Sequence, residues 1–140
     1  MDRLRRLAGL PWRERALLAA AALCLAVAKP LLATAGRERT RAVLDRLVRP
    51  VPAGVVADRV GWAVRAADTH LPGTRACLAR ALTAEALLSA TGHCGTLHYG
   101  VANDGGFAAH AWVERGGEVL VGETEDLGEY RVLTSRQFGP

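Results

Sequence analysis

Aromatic residues are scarce, at 5% of 140 positions, and Lys29 is the sole lysine among 18 basic side chains. Trp12 is the only aromatic in the first fifty residues, and no basic run there exceeds two residues. A nucleic-acid surface built on aromatic stacking therefore has no material, and nucleic acid is not an expected partner. Glycine and proline number 15 and 6, too few for a collagen-like or low-complexity chain. Three cysteines, Cys24, Cys77 and Cys94, contain no CxxC pair. The odd count leaves one free in a monomer, which excludes a closed disulfide scaffold and fits a reducing, cytoplasmic compartment. Long apolar runs are missing too. Ala16 to Ala28 is uninterrupted but falls short of the roughly 20 residues that span a bilayer. The arginine-rich start and Ala33-Thr34-Ala35 imitate a signal peptide, yet Glu14 stands beside the apolar stretch. Residues 12–35 are read as a helix that is buried or lies on a membrane surface.

Half of the chain is apolar, 23% is charged, and alanine and leucine dominate. One domain with a real core and a helical majority is expected, and a pure β-sandwich is not. The net charge of +4 conceals +7 over residues 1–50 against −3 over 51–140. Such a basic half is either a set of solvated arginine faces or a surface for an acidic partner.

Leu4, Leu7 and Leu10 open an amphipathic start, with Pro11 in the first turn of a helix that stops before Pro30. A second helix follows Gly36, burying Val43, Leu44, Leu47 and Val48. Pro50-Val51-Pro52-Ala53-Gly54 is the clearest break, dividing a helical subdomain, 1–50, from a core, 51–140. Val56 to Ala67 is a helix with Val56, Val60, Ala63, Val64 and Ala67 inward. Leu71-Pro72-Gly73 makes a turn and Thr74 an N-cap; helix formers then run from Arg75 to Thr91, with Gly92 past the end. From there the period becomes extended: Thr96–Val101, Phe107–Arg115, Glu118–Gly122 and Tyr130–Thr134 read as strands. Asn103–Gly106 and Gly116-Gly117 form the tight turns. The fold class is α+β, with helices first and then a helix packed on a small antiparallel sheet.

Cys77 falls in the first turn of its helix, where free N–H groups and the dipole favour a thiolate. His110 stands in the apolar strand Ala108-Ala109-His110-Ala111-Trp112-Val113-Glu114 and needs a hydrogen-bonding reason to be there. Together they form a nucleophile–base pair if the fold brings them close. If Gly116-Gly117 is a two-residue turn in unbroken register, Glu123 lies opposite His110 and can steady the imidazolium. A one-residue bulge shifts that place to Gly122 or Thr124, and a looser loop brings in Glu125 or Asp126. A zinc site from Cys77, His93, Cys94, His98 and His110 matches no compact ligand spacing. No cofactor motif is read.

Cys77-Leu78-Ala79-Arg80-Ala81-Leu82, Leu97-x-Tyr-Gly-Val101 and Ala109-His110-Ala111-Trp112-Val113-Glu114, followed by Gly117 and Val119-Leu120-Val121-Gly122, resemble one known family. It is the transglutaminase-like leader peptidases of lasso-peptide biosynthesis, in particular the stand-alone protease of the split B-protein pair. The resemblance implies a papain-like fold and a cysteine protease that cuts the leader from a ribosomally made precursor peptide. Cys77 would be the nucleophile and His110 the general base. The family's third residue is usually an aspartate, and Glu123 stands in that stretch here. The implied partners are the precursor, a small leader-recognition protein and an ATP-dependent lasso cyclase. The same thioester chemistry serves acyl transfer, and a non-catalytic peptide-binding scaffold is the remaining alternative.

Overall fold

A computed structural model describes residues 2–70, 77–102, 108–124 and 127–139. Four helices precede the sheet: α1 (Asp2–Ala8), α2 (Trp12–Leu47), α3 (Ala57–His70) and α4 (Cys77–Ala90). The strands are β1 (Gly95–Ala102), β2 (Ala108–Arg115), β3 (Glu118–Val121) and β4 (Arg131–Phe138), with a short 3-10 turn at Leu127–Glu129 before β4. Strand order is β3-β2-β1-β4, and neighbours are antiparallel. Helices before a small antiparallel sheet is the α+β plan expected from the sequence.

The largest departure is in α2. The helix runs on through Pro30 instead of ending before it, and the backbone leaves helical geometry at Gly36 (φ 82°, ψ 176°). Proline removes one N–H bond to the carbonyl four residues back. Here that carbonyl belongs to Ala26, which like Pro30 is exposed, so the lost bond lies on the solvent side of the helix and not against the core. Beyond Gly36 the helix resumes with Thr40 Oγ1 donating to the Gly36 carbonyl at 2.7 Å. Pro11 is the N-cap rather than a first-turn residue. In α3, Val60, Ala63, Val64 and Ala67 are buried as expected, whereas Val56 lies before the helix and is exposed. The predicted Leu71-Pro72-Gly73 turn, the Thr74 cap and the Asn103–Gly106 turn lie outside the described residues.

One continuous core joins α2, α3, α4 and the sheet across the Pro50–Gly54 break, from Leu17, Leu25 and Leu44 to Val60, Leu87, Leu97 and Val113. Ion pairs lace its margins. Arg59 holds Glu14 through two bonds of 2.8 and 2.9 Å, tying α3 to α2. Lys29 meets Asp68 at 3.3 Å, and Arg41 meets Glu85 at 2.9 Å. Glu85 is buried, and that burial pushes its carboxyl above the ordinary value, with Arg41 and then Arg136 opposing the rise.

The C-terminus of α4 is closed locally. The His93 N–H reaches the Leu88 carbonyl at 2.8 Å and the Gly92 N–H reaches Ser89 at 3.2 Å. That is a Schellman arrangement. It turns the chain straight back into β1, so α4 and β1 run in opposite directions.

Candidate active site

Because β1 returns along α4, the first residue of the helix and the last residues of the strand fall at one end of the molecule. Cys77 is the first described residue of that helix. It is half-buried, unpaired with another cysteine, and packed against the core. At the far end of β1, Gly100 pairs with His110 and Val101 with Ala109. The helix also packs on β2 directly. Cys77 thus belongs to the helix side of the sheet, whereas His110 stands on the opposite face, and no hydrogen bond joins them among the described residues.

Strand alternation decides which way His110 looks. Leu97, Ala111, Val113 and Val121 belong to the helix-facing core. His110 and Trp112 occupy the alternate positions and look to the outer face. There the His110 ring stacks near Trp112, with centroids 5.9 Å apart and planes at 18°, and Tyr130 lies 5.4 Å away. Trp112 is anchored in turn, its Nε1 donating to Glu114 Oε1 at 3.0 Å. Gly100 makes room for that indole: a Cβ there would sit 2.9 Å from two of its ring carbons. Tyr130 and Trp112 are supports for His110 that sequence reasoning did not single out. Their signal was the two-residue spacing from His110 to Trp112.

The third member depends on register. Gly116 and Gly117 form the expected turn with positive φ, 60° and 83°, and Arg115 pairs with Glu118 as predicted. The register then slips: Glu114 pairs with Val119 but Val113 with Val121, leaving Leu120 as an extra residue. The bulge lets the consecutive residues Leu120 and Val121 both enter the core. Its consequence is that Glu123 is not carried opposite His110. Glu123 is exposed and turns to an open cavity of about 660 Å³ between α3, α4 and β3. Arg65, Arg80, Asp58 and Glu118 also line this cavity, so it carries both signs of charge.

What does meet His110 is the backbone carbonyl of Gly122, 2.5 Å from Nε2. This contact was missed because a carbonyl leaves no mark in sequence. Donation from Nε2–H fixes the tautomer and leaves Nδ1 as the acceptor nitrogen. Gly122 has φ 93°, and a Cβ on it would fall 2.8 Å from both the Ala111 carbonyl and Trp112 Cβ. Only glycine lets the chain pass this close to β2. β3 ends at Val121 and its last paired β2 residue is Val113. At the level of His110, β2 therefore has no paired neighbour on that side among the described residues.

Of the remaining candidate ligands, Cys94 is exposed and in no disulfide, and the two histidines are engaged elsewhere. His93 bonds the Val55 carbonyl through Nε2. His98 bonds Ser135 Oγ at 2.6 Å through Nδ1, and its Nε2 lies 3.4 Å from Glu114. No cluster of three His, Cys, Asp or Glu that could hold a metal forms among the described residues. Glu125 and Asp126 lie outside them.

Comparison with curated proteins and with solved structures finds no match. The transglutaminase-like superfamily model matches residues 7–135, spanning both the helices and the sheet. That family includes cysteine proteases and acyltransferases. By a match over nearly its whole length, the chain belongs to the transglutaminase-like superfamily.

Proposed function

We propose that the chain is a cysteine endopeptidase that removes the leader from a ribosomally made lasso-peptide precursor. In this reading it acts with a small leader-recognition protein and before an ATP-dependent cyclase. What supports the chemistry is a half-buried free thiol, Cys77, on the helix side of the sheet and an imidazole, His110, on its outer face whose Nε2 is held by the Gly122 carbonyl. Catalysis requires the two to meet at the sheet's edge once substrate is bound. The specific substrate rests on the motifs around Cys77, Tyr99 and His110 described above.

His110 Nδ1 takes the thiol proton, and the Cys77 sulfur attacks the scissile carbonyl carbon. The Cys77 backbone N–H is the donor proposed for the developing oxyanion. The imidazolium gives its proton to the leaving amine, which departs as the core peptide's α-amine. A thioester to the leader then remains. Water adds to that thioester while His110 takes its proton. The sulfur leaves and recovers the proton, releasing the leader carboxylate. Gly122's carbonyl steadies the ring through both halves, and Glu123, next along the chain, supplies negative charge towards the imidazolium.

Mass spectrometry of a lasso-type precursor incubated with the protein and a leader-recognition partner tests this reading. Leader release is expected from wild type and lost in Cys77→Ala. Cleavage by the variant overturns the thiol mechanism. Binding of the precursor without cleavage favours a scaffold, and capture of an added amine in place of water favours acyl transfer.

A further inference from the structure

The two long sides of α2 differ in a way the catalytic reading does not use. Leu17, Ala21, Cys24, Leu25 and Ala28 are fully buried against the protein. On the opposite side Trp12, Ala19, Leu23, Ala26, Pro30 and Ala33 are exposed, at steps of seven, four, three, four and three that place them on one helical face. A helix on a protein surface normally turns charge to water there. Here no charged side chain interrupts Ala16 to Ala28, about 20 Å of helix. Trp12 is 62% and Leu23 51% exposed.

The ends of this stripe are basic. Arg13 and Arg15 stand exposed at the start. Past Ala33 and the break at Gly36, exposed Arg37 and Arg39 flank Glu38, which pairs with Arg41 at 3.2 Å, and Arg37 also lies over the Tyr99 ring. The one acid near the start, Glu14, is already held by Arg59. Upstream, α1 adds exposed Arg5 and Arg6 beside Leu4 and Leu7, with Leu4 71% exposed. Arg13 lies over the Trp12 ring, 5.7 Å from its centroid. An apolar strip, an indole at its rim and arginines beyond fit the layers of an anionic lipid surface: acyl boundary, interface and headgroups.

We infer that α1 and the exposed side of α2 dock the protein on an anionic phospholipid surface. The helix lies on that surface rather than crossing it. By length and composition α2 could span a bilayer, but crossing would strip Leu17, Ala21, Leu25 and Ala28 out of a shared core.

Co-sedimentation of the full chain with vesicles tests this, using equal parts phosphatidylcholine and phosphatidylglycerol against phosphatidylcholine alone. Sedimentation with the mixed vesicles only, falling with added salt, is the expected result. Leu23→Glu with Ala26→Glu replaces exposed side chains, and circular dichroism verifies that its helices persist. Its partitioning should fall by about tenfold or more. Arg5→Glu with Arg6→Glu should fall similarly and show a weaker salt dependence. An alkaline carbonate wash should release the bound wild type. Absence of vesicle binding, binding unchanged in both variants, or retention through the wash each overturn the inference. A dimer in solution that Leu23→Glu splits would assign the face to a second copy instead.

Discussion

The two faces of the sheet divide the molecule's labour. The inner face carries Leu97, Ala111, Val113 and Val121, each 2% exposed or less, and these aliphatic side chains have no polar partner to find. The outer face carries His98, His110, Trp112 and Glu114, and each is fixed by a directed contact. Adjacent residues such as His110 and Ala111 therefore answer to different physics. Burial stabilises one side through area and shape, and the other holds geometry through a chain of hydrogen bonds and ring contacts.

Substitutions on the two faces should separate activity from stability. The largest effect expected is on the outer face: His110→Ala should lower leader cleavage by about 10²- to 10⁴-fold. Its thermal midpoint should move far less than that of an inner-face variant. Leu97→Ala should do the reverse, costing about 2–5 kcal/mol in denaturant unfolding while the folded fraction keeps its turnover. Trp112→Phe keeps most of the ring but removes the Nε1 bond to Glu114, a loss of about 1 kcal/mol. Its signature should be weaker catalysis at nearly unchanged substrate affinity, because the support for His110 is loosened. Glu123→Gln should cost less than about tenfold in rate, since a carbonyl already takes the Nε2 proton. A loss as large as that of His110→Ala would return the carboxylate to the centre of the site.

The smallest effect concerns pH. Burial holds the Glu85 carboxyl above its ordinary value, so the folded state binds that proton more tightly than the unfolded chain. The stability gained is complete below the unfolded pKa and is lost as pH rises through the folded one. The difference in thermal midpoint between wild type and Glu85→Gln should therefore move in favour of wild type as the solution is acidified. A flat difference would mean that Arg41 and Arg136 fully offset the burial.

Local chemistry was the legible part of the sequence. The paired glycines at 116 and 117 and the glycine after α4 declare their turns within a few residues. The apolar spacing of Val60, Ala63, Val64 and Ala67 declares which side of α3 is inward. The passage of α2 through Pro30 was not legible, because the penalty depends on whether the orphaned carbonyl reaches water. Nor was the bulge at Leu120: Val119-Leu120-Val121 is apolar in either register, and only the shape of the core selects one. That single inserted residue moves the expected partner of His110 from a side chain to a main-chain oxygen. Cys77 and His110 were readable as residue types; the contact that orients the imidazole was not.

The absence of a side chain at position 100 has an engineering consequence. The indole of Trp112 occupies that space, 2.9 Å from where a Cβ would be, and β1 carries the position on a strand that supplies no reactive group. Gly100→Ala is thus a wedge against Trp112, and hence His110, that also presses on the Arg131 carbonyl of β4, 3.1 Å from the same Cβ. Graded residues at this one site would turn the angle of the imidazole into an adjustable variable.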